Sequence, residues 1–413
     1  MDDALVDFQE PSRLRVLLDR LSEIADDRET HWVAYPLAEI LLLAVCGTIA
    51  DCDDYDAISE WGEAHLAFLR RFLAYHHGVP SGRWLTIMMN RIDPALFSAC
   101  FCDWVRACWP DRPDLVAIDG KTLRRSHDRS AGRPALHLVS AFASNSRLVL
   151  GQEAVSDKAG ELSAIPILLE RLAQDSGLEG AVVSIDAIAC NGGIAKVVRD
   201  AGADYLLAVK ANQPSLRADV EAAFAQHPHR SQDRHVDVDK GHGRIEQRDV
   251  AVVCEVDWLD GDRRFPGELR LPGAAALVRV HSRVQLKDRC RSDVRYFITS
   301  ADRSAEALAG MVRKHWAIEN QLHWTLDVVF DEDRSRLRKG HGARNMAVVR
   351  HFALNLVRNA DEGLRPPRSG LRRKTAKPPA PRHTPIKRRR KIASWNPDYL
   401  AAILTAPAVN PDS

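Results

Sequence analysis

No stretch of this sequence is long and apolar enough to cross a bilayer. The longest run, near Leu37 to Ala50, is short and is interrupted by Glu39. A mean hydropathy of −0.27 excludes a polytopic membrane protein. No Cys-x-x-Cys pair occurs among the eight cysteines, and three of them sit in the apolar segment FSACFCDWVRACW. That argues against a zinc ribbon or a disulfide scaffold and for reduced, mostly buried thiols. The opening MDDALVDFQE is acidic, unlike a secretory leader. Gly120-Lys121-Thr122 lacks the upstream glycine spacing of a phosphate-binding loop, which disfavours ATP hydrolysis. No internal repeat is visible. What remains is an ordinary globular composition of 413 residues, 45% hydrophobic and 28% charged, enough for two or three domains.

Charge is abundant but unevenly spread. Residues 364–391 hold twelve Lys or Arg, six prolines and no acid; without them the net charge of +2 becomes −10. A Pro-rich basic run buries no core and is expected to be extended and solvated. It suits a phosphate backbone, by counterion release, or a solubilising linker, and composition leaves both open.

Residues 10–110 carry apolar residues at three- and four-residue spacing and read as helices. Pro36 suits a first turn, and Asp53 or Asp54 suits a cap. From residue 113 the pattern changes. LVAID, LHLVSAFA and RLVLGQEAV read as strands that pair antiparallel. Helix ELSAIPILLERLAQ, strand VVSID, helix GGIAKVVRDAG, strand DYLLAVKAN and helix PSLRADVEAAFAQH follow, which predicts a mixed sheet covered by helices. Residues 232–300 are β-prone, with turns expected at DKGHG and DRCRSD. A long helical pattern then runs through AEALAGMVRKHWAIENQLHWTLDVVF.

Two strands end in acids, Asp119 and Asp186. Carboxylates at strand ends converge at one edge of a sheet, where ligands of open α/β sheets gather. A third acid, Glu319, lies mid-helix among apolar and aromatic residues, where a carboxylate is costly unless paired or metal-bound. Three carboxylates without a Cys or His pattern favour a hard cation, Mg²⁺ or Mn²⁺. Each acid alone also has a plain explanation. A strand-end Asp is often a turn residue, and Glu319 has Arg313 and Lys314 within reach. Their combined order is much rarer by chance. Lys121, Arg124 and Arg125 follow Asp119, and Lys210 follows another strand; this much positive charge suits a polyanionic substrate. Trp316 and Trp324 are expected to pack the core. Arg244, Glu246 and Arg248 share one strand face and can bind DNA or pair with one another.

IDGKTLRRS, AIPILLERL before VVSIDA, GADYLLAVKANQP, GHGRIEQRDV and HWAIENQLHWTLDVVFDEDRSRLRKG together resemble a DDE transposase of bacterial insertion sequences, in the branch that includes the H-repeat-associated proteins. The likeness spans roughly residues 10–360 and the closing WNPDYLAAIL segment. It implies an α/β fold: a ribonuclease-H-like catalytic domain with a β-rich insertion, preceded by an N-terminal helical domain. The boundaries it suggests are 1–110 for the helical domain, 111–231 and 301–360 for the two catalytic parts, 232–300 for the insertion, 361–393 for a basic Pro-rich linker and 394–413 for a C-terminal segment.

The resemblance further implies Asp119 on the first strand, Asp186 on the fourth and Glu319 on the helix after the insertion, as catalytic ligands of two Mg²⁺ (or Mn²⁺) ions. Lys121, Arg124, Arg125, Lys210, Arg244, Arg313 and Arg336 are expected at DNA phosphates. His323 and Asn320 are expected beside the ligands rather than among them. The implied partner is double-stranded DNA, both element ends and target, held by a homodimer in the cytoplasm at the nucleoid. The sequence departs from its relatives at Gly160, Asn191 and His315, and none of these removes one of the three acids. Two other readings share these features: a DNA-binding relic or regulator without catalysis, and a metal-dependent nuclease without strand transfer.

Overall fold

The computed structural model describes residues 12–29, 33–128, 132–155, 160–226, 233–241, 243–261, 269–360 and 384–408. They fall into two compact units, one of residues 1–111, 122–137 and 323–413, the other of residues 112–121 and 138–322.

The first unit is helical. It opens with α1 (Arg13–Ser22), α2 (Leu37–Ile49), α3 (Tyr55–Ala64), the short α4 (Leu66–Leu69), α5 (Gly82–Arg91) and α6 (Pro94–Cys108). Ser12, Asp54, Ser81 and Asp93 cap α1, α3, α5 and α6 by accepting first-turn N–H groups. Asp54 rather than Asp53 is therefore the α3 cap. Helix α2 is buried along nearly its whole length. Gly62 lets α3 approach it, since a Cβ there would meet Leu43 Cδ1 at 2.6 Å. The one acid on α2, Glu39, is buried but satisfied: its carboxylate accepts the Tyr75 N–H at 2.7 Å.

The second unit is built on a sheet. Its elements in chain order are β1 (Leu115–Thr122), β2 (His137–Ala143), β3 (Leu148–Val155), α7 (Glu161–Leu172), β4 (Val182–Ile185), α8 (Gly192–Asp200), β5 (Asp204–Val209), α9 (Pro214–Gln226), β6 (Asp233–Gly241), β7 (Arg244–Val253), β8 (Ala276–Gln285), β9 (Cys290–Thr299) and α10 (Ala305–His315). Among the described residues the nine strands form one sheet in the order β3-β2-β1-β4-β5-β9-β8-β7-β6. Strands β1, β4 and β5 are parallel, the pattern their continuous apolar runs favour. Strand β1 thus lies between β2 and its parallel partner β4.

Strands β6–β9 form an antiparallel meander whose last strand pairs with β5. The β-rich region thus continues the main sheet. Its turn lies at Leu286–Arg289, earlier than DRCRSD suggested, so Cys290 already starts β9. Helix α10 lies on one sheet face. Its Ala305, Leu308 and Val312 join Leu115, Val182, Leu206, Ala208 and Phe297 in one buried cluster. The architecture is α/β, a mixed nine-stranded sheet with a β-rich segment joined to it and helices at the front of the chain.

The helical unit is completed by α11 (Trp324–Val329), α12 (Gly342–Arg358), α13 (Ile386–Trp395) and α14 (Pro397–Leu404). Phe352 of α12 packs on Phe101 and Trp104, with ring centroids 4.9 Å apart in each pair. The basic run departs from expectation. Residues 361–383 lie outside the described residues, but from Ile386 the chain is helical, not extended. Arg390 is wholly buried there. Its guanidinium lies 3.2 Å from Asp51, 2.9 Å from Asp53 and 4.2 Å from the Phe330 ring centroid. Arg389 donates to the Val357 and Ala360 carbonyls at the end of α12. No described helix is long and apolar enough to cross a membrane.

Candidate active site

Parallel register brings the two aspartates side by side. Ile118 of β1 lies opposite Ile185 of β4, so the next residues, Asp119 and Asp186, are neighbours; Asp186 follows the end of β4, but β1 does not end at Asp119 and runs on to Thr122. Their side chains share a sheet face with Leu115 and Val182, the face that α10 covers. Beyond α10, a π-helical turn, Ile318–His323, carries Glu319. Glu319 continues the helix face set by Leu308 and Val312, which directs it to the same sheet face. Carboxylate oxygens of Asp119 and Glu319 lie within 4.8 Å of each other. All three acids line one cavity of about 550 Å³, shared with Ser184, Lys210, Arg217, Arg295, Tyr296 and His315.

Glu319 is exposed, so the burial cost inferred from its apolar neighbours does not arise. Its apolar neighbours divide: Ile318 and Leu322 are buried, while the tryptophans are at the surface. Trp316 and Trp324 are 45% and 57% exposed and do not fill the core.

The two aspartates sit in opposite electrostatic states. Burial, opposed by the Gly120 N–H and reinforced by the charges of Glu319 and Asp186, pushes the Asp119 carboxyl up to about 7. Burial also acts to raise Asp186, but Lys210 more than offsets it. The ammonium lies 2.5 Å from the carboxylate and holds it below its ordinary value. His315 is held below its ordinary value by burial, which outweighs the pull of Asp186.

An all-oxygen pair at this spacing, one member retaining its proton to near neutrality beside like charges, is a donor set that a hard divalent cation fits. His323, expected beside the ligands, is buried.

Comparison with known proteins decides the family. Residues 110–356 match the family model described as Transposase DDE domain, and residues 18–105 match its companion, described as DDE_Tnp_1-associated. The H repeat-associated protein YhhI of Escherichia coli K12 is 36% identical over 402 residues, 96% of this chain and 100% of its own. The chain belongs to the DDE transposase family. A protein encoded in the dhlA 3′ region of Xanthobacter autotrophicus is 39% identical over 66% of this chain and 90% of its own. Among solved structures, a piggyBac transposase synaptic complex with hairpin DNA aligns over 96% of this chain and 80% of that one, at TM-score 0.40 and 10% identity.

The remaining residues singled out in this DDE transposase have mixed surroundings. Arg313 is tied to Asp237 and Asp239, at 3.2 and 2.7 Å. Arg244 lies 3.9 Å from Glu246, which also takes Arg248 at 2.7 Å, so this trio pairs internally. Lys210 is engaged by Asp186. Arg124 is 81% exposed and 3.7 Å from Asp333; Arg125 and Arg336 are exposed, and Lys121 is half-buried. Asn320 is exposed and its amide donates to the Trp316 carbonyl, one turn back, instead of supporting a carboxylate. Ser184 and His315 escaped attention as a pair. They are 131 residues apart, with Oγ and Nδ1 at 2.5 Å, and the helical spacing of His315 from Glu319 was the one available signal.

Proposed function

We propose that the chain binds double-stranded DNA at insertion-element ends, hydrolyses a phosphodiester there, and joins the freed 3′-OH to target DNA. The observation that carries this reading is the meeting of Asp119, Asp186 and Glu319 at one cavity in a chain of this family. The three acids act as metal ligands. When bound, a pair of Mg²⁺ or Mn²⁺ ions would neutralise phosphate charge and lower the pKa of the attacking water.

The chain's own side chains orient the substrate. Lys210, Arg217 and Arg295 line the cavity with the acids and can receive phosphate oxygens, which holds phosphorus for in-line attack. Lys121, Arg124, Arg125, Arg244, Arg313 and Arg336 contact DNA phosphates away from the reacting atom; Arg244 and Arg313 do so by exchanging carboxylate partners for phosphate. Water attacks phosphorus, the bond to the 3′ oxygen breaks, and that oxygen leaves as a hydroxyl with the phosphate retained on the 5′ side. The 3′-OH then attacks a target phosphodiester and displaces the target's 3′ oxygen. No covalent enzyme intermediate is involved. A homodimer holds the two ends.

Labelled element-end duplex incubated with target plasmid and Mg²⁺ tests this. Cleavage with joining is expected. Cleavage alone would make the protein a nuclease, and binding alone a regulator or relic.

A further inference from the structure

Resting on that reading, we propose that a basic, partly apolar groove beside the catalytic cavity holds a short unpaired stretch of the DNA strand that bears the scissile phosphate. The groove has a volume of about 1030 Å³, more than the catalytic cavity. Asp293, Arg295 and Trp316 line both spaces, so a strand lying in one continues into the other. At that junction the Arg295 guanidinium lies 5.0 Å from the Trp316 ring centroid.

Strand register builds the floor. Val252, Val278 and Phe297 stand opposite one another on β7, β8 and β9, in the buried cluster that α10 joins. Residues two positions further along each strand stay on that face. The face therefore runs on through the row Val250, Val280, Arg295 to the row Glu246, Val284, Arg291. Val250 and Val280 are buried, Val284 is half-buried and Arg291 is exposed, so the floor opens to solvent as it leaves α10. From Arg295 to Arg291 it extends about 13 Å along β9. Lys314 and Trp316, at the end of α10 and just past it, belong to the wall.

Two cations of this groove stand ready for a ligand. Arg313 and Arg248 are held by carboxylates, Asp237 among them. Arg291 on the floor and Lys314 on the wall are exposed and form no ion pair among the described residues. A duplex turns its phosphates outward and keeps its base faces stacked inside. It could meet the two cations, but it would leave the valines and the indole against water. An unpaired strand offers both surfaces, phosphates to Arg291 and Lys314 and base faces to the apolar floor.

Fluorescence anisotropy with Ca²⁺ replacing Mg²⁺ tests the groove. A fully paired element-end duplex is compared with the same duplex in which the strand bearing the scissile phosphate is unpaired for about six nucleotides, on one side of that phosphate or the other. The unaltered protein should bind one of the unpaired probes about tenfold more tightly than the paired one. Arg291→Gln with Lys314→Gln, both at exposed positions, should remove that preference and keep paired-duplex binding within about twofold. The log–log salt slope for the unpaired probe should fall by about 1.4, at about 0.7 per lost phosphate contact. Abasic sites throughout the unpaired stretch, with its phosphates kept, should remove most of the preference as well.

Four results overturn the proposal: no preference in the unaltered protein, a preference that survives in the double variant, an equal loss on paired and unpaired probes, or an abasic probe bound as tightly as the intact one. Cleavage and joining in Mg²⁺ are scored apart. A protein that cuts and joins without the preference defeats this proposal alone. One that shows the preference, and its loss in the double variant, but never cuts defeats the transposition reading alone.

Discussion

Asp119→Asn should stabilise the metal-free protein at pH 8 while removing its chemistry. The Asp119 carboxyl is raised from an ordinary 3.8 to about 7 by burial, with Glu319 and Asp186 adding like charge. Between those two values the unfolded chain has released its proton and the folded chain has not. Folding stability therefore falls as pH rises through that window and levels off above it. At about 1.4 kcal/mol per unit, the ionised carboxylate costs the fold about 4 kcal/mol at pH 8. An asparagine of the same shape escapes that cost.

Urea unfolding in EDTA should show the Asn variant more stable by about 4 kcal/mol at pH 8 and by under about 1 kcal/mol at pH 4. Adding Mg²⁺ at pH 8 should stabilise the unaltered protein and leave the variant almost unmoved. A difference that is the same at both pH values, or equal stabilisation of both proteins by Mg²⁺, would refute the placement of an uncompensated carboxylate at this site.

Other consequences are equally direct. Asp186→Asn and Glu319→Gln should each abolish cleavage with DNA affinity within about threefold of normal by gel shift; full cleavage by either variant removes that residue from the chemistry. Arg390→Met should destabilise the fold by about 2–3 kcal/mol, because the Asp51 and Asp53 carboxylates lose their buried counterion yet keep some solvent. Thermal unfolding measures it, and a change under about 0.5 kcal/mol would mean the pairing is incidental. Replacing the seven Lys and Arg of residues 364–383 by Gln should flatten the dependence of DNA affinity on salt, each lost phosphate contact reducing the log–log slope by about 0.9. An unchanged slope would make this stretch a spacer.

What the sequence discloses about this site follows from how local each signal is. Asp119 and Asp186 each follow a short run of buried apolar residues, so their place beside the sheet is written in neighbouring letters, although β1 runs on past Asp119 to Thr122 and only Asp186 stands at a strand end. Glu319 carries a helical-period signal, yet its exposure and that of Trp316 do not follow from the pattern, because they depend on what packs against the helix and not on its own period. The bond between Lys210 and Asp186 depends on which strands lie parallel, and the Ser184–His315 contact on where α10 lands across the sheet. Neither choice is local. The basic run misled for a related reason. A window of like charges reads as solvated, but Arg389 and Arg390 are buried by acceptors some 30 to 340 positions away. The joining of the insertion to the main sheet rests on the β5–β9 pairing, which two alternating segments cannot announce by themselves.

The clasp between Arg390 and the two aspartates after α2 also bears on how such genes decay. Asp51 and Asp53 are made early in translation and stay without their buried cation until α13 has been synthesised. A frameshift or stop codon that spares everything through α12 would still yield a helical unit lacking that counterion. Degenerate copies broken there should be cleared by proteolysis instead of lingering as folded protein.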